Sequence, residues 1–188
     1  MPLKVMIKKI PNCLTILRLL LIPFFLFYLY GSQHQNRIEI CLAVFLLAAL
    51  TDWADGHLAR KLSAISDFGK IMDPLADKLI VLAALSGITW LEPYRIPYLI
   101  FFLILLREIL ITILREIYKH RKIIIPADNL GKIKTFSQML GLVFAYAFWK
   151  YVQNNGNSVI PSVVTVWFVM VTMITLYSGF SYLKTKRA

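Results

Sequence analysis

Four aspartates, Asp52, Asp55, Asp73 and Asp77, lie in one short stretch, TDWADGHLARKLSAISDFGKIMDPLADKL (Thr51–Leu79). With Asp67 they make up half of the chain's 10 acidic residues. Asp52 and Asp55 are spaced i,i+3, and Asp73 and Asp77 i,i+4. On helices, either spacing puts both side chains of a pair on one face. A short link between two such helices makes them antiparallel neighbours, with four carboxylates facing one crevice. Unpaired carboxylates at a membrane edge repel one another, so protons or cations must compensate. Oxygen-only ligands suit hard cations, Mg2+ or Mn2+. Four carboxylates can hold two metals about 3.5–4 Å apart, an arrangement that clamps a phosphoryl group during displacement.

The neighbouring residues suit a phosphate ligand. Gly56 and Ala59 leave room against a helix backbone. Arg60 offers a forked donor. Gly69 is expected just before the third helix, where a turn is needed. Ser66 sits in the link, within reach of a ligand. Each residue also has a plainer reading. Asp67 and Asp73 could be helix N-caps. Arg60, Lys61 and Lys70 could be membrane-side anchors, and Gly56 a helix-packing position.

The elements that must carry these residues are apolar. The chain has 188 residues, 59% hydrophobic and 16% charged, with a mean hydropathy of +0.67. A soluble domain is about one quarter charged, so the excess apolar content has to face lipid. A helix crosses the hydrocarbon core with about 20 apolar residues. Six candidate spans follow: Pro11–Tyr30, Ile38–Leu62, Ile71–Leu91, Pro97–Tyr118, Gly131–Val152 and Val159–Leu183. The links between them are too short for a second domain, so 1–188 reads as a single all-α integral membrane domain, a six-transmembrane-helix bundle. Arg18 interrupts the first apolar run and no small-residue cleavage site follows, so that run is expected to be retained.

The net charge of +11 gathers at the ends of apolar runs. This suggests anionic membrane surfaces; no nucleic-acid-binding pattern is present. Lys4, Lys8 and Lys9, then Arg60, Lys61 and Lys70, then Lys119, Arg121, Lys122, Lys132 and Lys134, then Lys184, Lys186 and Arg187 mark one side. Arg37, Arg95 and Lys150 are nearly all that marks the other. Both termini and the acidic stretch are therefore expected on the cytoplasmic side. Cys13 and Cys41 read as small buried hydrophobes, and His34, His57 and His120 are too scattered for a zinc set. Arg107 and Arg115 recur at a spacing of eight, on roughly one side of a helix.

Asp52, Asp55, Gly56, Ala59, Arg60, Gly69, Asp73 and Asp77 match without departure the signature D-x2-D-G-x2-A-R-x8-G-x3-D-x3-D. The chain in this respect resembles the CDP-alcohol phosphatidyltransferase family. "IPNCLTILRLLLIPFF", "LLREILITILRE" and "GKIKTFSQM" are similar to stretches of its bacterial phosphatidylglycerophosphate synthase branch. The resemblance implies a homodimeric six-helix bundle in a bacterial inner membrane. It implies transfer of a phosphatidyl group from CDP-diacylglycerol to glycerol 3-phosphate, with release of CMP and two Mg2+ or Mn2+ ions per site. Asp52 and Asp73 would bridge the metals, Asp55 would bind one, and Asp77 would bind the other and act as base. Gly56, Arg60 and Ser66, with Ala59 and Gly69 beside them, would face the CDP moiety. Asn12, Thr15 and Arg18 would line it from the first helix. Arg107, Arg115, Lys132 and Lys134 are candidates for the acceptor phosphate, and Glu108 and Glu116 for orienting the arginines. The alternative for Arg107 is a pair with Glu108 or Asp73, and for the lysines a purely topological role. Two other functions stay open: the same chemistry on inositol phosphate, serine, glycerol or phosphatidylglycerol, and a small cation carrier using the carboxylates as its ion site.

Overall fold

The computed structural model describes the backbone of residues 10–62, 67–120, 129–156 and 158–184; within these, the side chains of 10–13, 53–62, 67–71, 73, 74, 115, 119, 120, 129, 130 and 181–184 lie outside the description. The described residues form six long helices and no strand. α1 spans Ile10–Leu26 and runs into a π-helical turn, Phe27–Gly31. There the Ser32 N–H donates to the Phe27 carbonyl at 2.9 Å, five residues back. α2 is Arg37–Leu62, α3 Asp67–Trp90, α4 Tyr98–His120, α5 Asn129–Asn155 and α6 Val159–Lys184.

These bounds differ from the expected ones most at α3. It begins at Asp67, not Ile71, so Gly69 lies in its first turn and not ahead of it, and Asp73 is a helix-interior residue and not an N-cap. The polar beginning of α3 carries no apolar periodicity, which is why hydropathy placed the start too late. Of the link expected at 63–70, residues 67–70 belong to α3, and 63–66, with Ser66, lie outside the described residues. At the end of α5, Gly156 adopts φ +58°, the left-handed conformation that commonly closes a helix.

At 1.5 Å per residue, the 23 to 27 residues of α2 to α6 give about 35–40 Å each, enough to span a bilayer core. Among the described residues, Leu14–Gly31 and Val159–Phe180 are also apolar enough throughout to cross a membrane. The other helices carry more charge inside their length than the single Arg18 of α1: Asp52 and Asp55 in α2, Asp73 and Asp77 in α3, Arg107 and Glu108 in α4, Lys134 and Lys150 in α5. Large apolar side chains also stand exposed, among them Leu99, Phe136, Met173, Tyr177 and Phe180. Such a surface suits lipid and would be a liability in water.

The chain forms two compact units, 1–84 and 85–188. In the first, α1 packs on α2, with Phe25, Leu29, Cys41, Val44, Phe45 and Ala48 buried. Cys41 is a free thiol, packed as a small apolar side chain. The buried stripe of α3 here is Ala76, Ile80, Ala83 and Ala84, at helical spacing.

In the second unit, α6 packs on both α4 and α5. Gly141 lets α5 and α6 approach closely, since a Cβ there would fall 2.6 Å from Trp167 Nε1. That indole N–H donates to the Ser137 carbonyl at 3.0 Å. Buried Tyr94, in the link before α4, donates its hydroxyl to the Ala145 carbonyl at 2.7 Å. It stands edge-on to Trp149, and burial pushes its phenol above the ordinary range. The interior of this unit changes character along its length. It is apolar at Ile100, Ile104, Leu142, Ala145, Trp149 and Phe168, and polar at Arg107, Glu108, Lys134, Gln138, Thr175 and Ser178.

Candidate active site

The first unit holds a cation between two carboxylates. Arg18 is on α1, Asp52 near the middle of α2 and Asp77 in α3. Arg18 Nη1 donates to Asp52 Oδ1 at 2.9 Å and also to Asp77 Oδ1. The first and last aspartates of the motif, far apart in sequence, therefore meet on one nitrogen. The guanidinium is buried, with 2% of its side chain exposed, whereas Asp52 is 50% and Asp77 40% exposed. The cation forms the floor and the carboxylates form the open side. Thr15, one turn before Arg18 on α1, is fully buried.

The open side suits a hard cation, because two carboxylates from different helices converge there and carry more negative charge than one guanidinium offsets. Among the described residues no three His, Cys, Asp or Glu side chains come together to hold an ion. Asp55 and Asp73, the other two expected ligands, have side chains outside the described set. Their backbones follow Asp52 by three residues in α2 and precede Asp77 by four in α3, spacings that keep each pair on one face. The side chains of Asn12, Gly56, Ala59, Arg60 and Gly69 also lie outside the described residues. Asn12 belongs to α1, Gly56, Ala59 and Arg60 to α2, and Gly69 to α3.

The second unit holds the reverse arrangement. Glu108 Oε1 is within 3.4 Å of Arg107 Nη1 and pairs with Lys134 Nζ across from α5. Arg107 reaches α6 as well: its Nε donates to the Thr175 carbonyl at 3.2 Å and its Nη2 to Ser178 Oγ at 3.0 Å. Gly179 lies against the same side chain, and a Cβ there would be 3.4 Å from Arg107 Cγ. Arg107 and Glu108 are 8% exposed and Lys134 4%, so three formal charges are nearly out of contact with the surroundings. Burial of that kind is costly unless the charges are paired. Among the described side chains, one anion here is shared by two cations.

Of the four residues expected at the acceptor phosphate, Arg107 and Lys134 meet in this cluster. Lys132 is exposed, two positions from Lys134 and so on a different side of α5. The Arg115 side chain lies outside the described residues. Sequence reasoning did not find Thr175, Ser178 or Gln138. The available signal was their position: Thr175, Ser178 and Gly179 interrupt an apolar helix at one-turn spacing, and Gln138 follows Lys134 by four. Gln138 is 3% exposed, and its Nε2 has no hydrogen-bond partner among the described residues.

A helical membrane-type protein with paired carboxylate helices and the motif Asp52–Asp77 defines a class, and comparison places it. The profile of the CDP-alcohol phosphatidyltransferase family matches residues 8–178, and the chain belongs to that family. It is 34% identical over 177 residues to the CDP-diacylglycerol–glycerol-3-phosphate 3-phosphatidyltransferase of Rickettsia typhi, covering 94% of this chain and 96% of the relative. It is 35% identical over 145 residues to the protein of the same name from Bacillus subtilis, covering 71% and 74%. A probable phosphatidylglycerophosphate synthase of Mycobacterium tuberculosis is 38% identical over 138 residues, covering 72% of this chain and 65% of the relative.

Proposed function

We propose that this chain transfers the phosphatidyl group of CDP-diacylglycerol to glycerol 3-phosphate, giving phosphatidylglycerophosphate and CMP in anionic phospholipid synthesis. The observation that carries this reading is the meeting of Asp52 and Asp77 on Arg18, which sets the two ends of the family motif around one open carboxylate face. The relatives' names support the acceptor. Asp52, Asp55, Asp73 and Asp77 would hold two divalent cations, Mg2+ or Mn2+. Such ions supply charge neutralisation at a diphosphate and polarise its phosphoryl oxygens.

The chain's own residues do the rest. Asn12, Thr15, Arg18, Gly56, Ala59, Arg60, Ser66 and Gly69 bind the donor's nucleotide and diphosphate. Arg18 is the one of them that contacts two of the proposed metal-site carboxylates, Asp52 and Asp77. Arg107 and Lys134, with Arg115 and Lys132, take the acceptor's phosphate. The acceptor's primary hydroxyl oxygen then bonds to the phosphorus of the phosphatidyl group. The diphosphate P–O bond breaks, CMP leaves with that oxygen, and Asp77 accepts the hydroxyl proton. The donor's acyl chains stay in the bilayer throughout.

In this reading residues 1–188 are one catalytic domain whose six helices all cross a bacterial inner membrane, with both termini and the site on the cytoplasmic side, and the chain works as a homodimer. The helix lengths and the distribution of lysine and arginine support that topology. The test is CMP release by purified protein given CDP-diacylglycerol, Mg2+ and one acceptor at a time. Glycerol 3-phosphate should be used at least tenfold better than serine, inositol phosphate, glycerol or phosphatidylglycerol. Equal use of serine, or no CMP with any acceptor, would sink the assignment; the second result would favour a cation carrier.

A further inference from the structure

We propose that Gln138 is a specificity-determining residue that hydrogen-bonds the acceptor's non-reacting hydroxyl, an inference that rests on Arg107 and Lys134 taking the acceptor's phosphate. Gln138 is 3% exposed, and its Nε2 has no partner among the described residues. Native structures pair almost all buried side-chain amides, so an exception calls for a reason.

Position supplies one. Gln138 follows Lys134 by one helical turn, both are buried on one face of α5, and Cβ atoms at this spacing lie about 5–6 Å apart. Helical side chains lean toward the N-terminus of their helix, so the carboxamide leans toward the turn that carries Lys134. Beyond Gln138 the face becomes apolar, at Leu142 and Ala145. Gln138 is therefore the last polar group on that face.

Its chemistry differs from that of its neighbours. A carboxamide offers two donors and an acceptor and no charge. That matches a neutral hydroxyl, which both gives and takes a hydrogen bond, better than a phosphate. Two cations with a carboxamide one turn away fit a short phosphorylated polyol. Glycerol 3-phosphate is one: besides the primary hydroxyl that reacts, it has a secondary hydroxyl on the carbon next to the one bearing the phosphate.

The experiment compares three acceptors with the full chain in detergent, CDP-diacylglycerol and Mg2+. They are glycerol 3-phosphate; 3-hydroxypropyl phosphate, which keeps the phosphate and the primary hydroxyl but lacks the secondary one; and glycerol. The wild type should prefer glycerol 3-phosphate to 3-hydroxypropyl phosphate by about tenfold in kcat/KM, the worth of one well-made hydrogen bond. Gln138→Met, similar in size, should lower kcat/KM for glycerol 3-phosphate to the level of 3-hydroxypropyl phosphate and leave the latter unchanged. If Gln138→Met does not accumulate, Gln138→Asn withdraws the carboxamide by one methylene and should shrink the same ratio. An equal loss on both phosphorylated acceptors, or an unchanged ratio, overturns the assignment of Gln138 alone; it would leave the amide to packing or to a buried water. If the wild type uses glycerol as readily as glycerol 3-phosphate, the phosphate reading itself fails and Gln138 falls with it.

Discussion

The two units carry opposite solutions to the problem of charge inside an apolar helix bundle. Around Arg18, one cation holds two carboxylates; around Glu108, one carboxylate holds two cations. The described side chains thus leave a formal negative charge in the first cluster and a formal positive charge in the second. They differ in exposure too. Asp52 and Asp77 are about half open, whereas Arg107, Glu108 and Lys134 are almost wholly buried. An open cluster with carboxylates in excess among the described side chains would, under the proposed function, take divalent cations. A closed one, with cations in excess among the described side chains, holds helices together; under the proposed function it would also receive an anion. The same kinds of side chain serve differently according to which sign is in excess and whether the excess can be reached.

The largest effect should come from the open cluster. Asp52→Asn removes a proposed metal ligand and half of the Arg18 pairing, and CMP release should fall at least a thousandfold, about 4 kcal/mol of transition-state stabilisation. The folded protein should remain in the membrane, because Asp52 is half exposed. Release within tenfold of wild type at ordinary Mg2+ would erase the contrast between the units.

The closed cluster should respond first through stability. Glu108→Ala leaves Arg107 and Lys134 buried without their shared anion, a loss of about 3–5 kcal/mol, read as a lower Tm in detergent. Adding Lys134→Met removes one of the two cations that Glu108 had paired and should restore part of the loss. A double variant less stable than the single one would show that Glu108 does not hold the two cations as a unit.

Lys134→Gln keeps a polar side chain but gives up a charge-assisted contact to phosphate, worth about 1.5–3 kcal/mol. The KM for glycerol 3-phosphate should rise at least tenfold while that for CDP-diacylglycerol stays within about threefold. A parallel rise in both would make the cluster purely structural. The smallest effect belongs to neither cluster: Gly141→Ala drives a methyl into the Trp167 indole and should cost about 1–3 kcal/mol of stability, with substrate KM values unchanged in the protein that folds.

Much of this was legible in the amino-acid order, because it is local. The spacings of Asp52, Asp55, Asp73 and Asp77 and the lengths of the apolar runs need no partner to be read. The start of α3 was misplaced because Asp67–Lys70 is polar, and helix formation there has no hydropathy signal. What the order could not give was partners. Arg18 was visible as a charge inside an apolar run, but not that it lies under Asp52 and Asp77, 34 and 59 positions away. Arg107 had two possible carboxylate partners by sequence, Glu108 and Asp73; it pairs with Glu108, and the Asp73 side chain lies outside the described residues. Lys134 looked like its exposed neighbour Lys132, and only the facing of α5 toward α4 separates them. The order of residues names the charges but does not settle which face of a neighbouring helix each one meets.

Mn2+ binding distinguishes whether the carboxylate cluster or the cationic one takes the divalent ions. Electron paramagnetic resonance would count bound Mn2+ on detergent-solubilised wild type, Asp52→Asn and Lys134→Gln in the presence of CDP-diacylglycerol. About two ions per chain are expected in the wild type and in Lys134→Gln, by the two-metal arrangement, with at least one lost in Asp52→Asn. Equal binding by all three proteins, or none by the wild type, would contradict the assignment of the ions to the carboxylates.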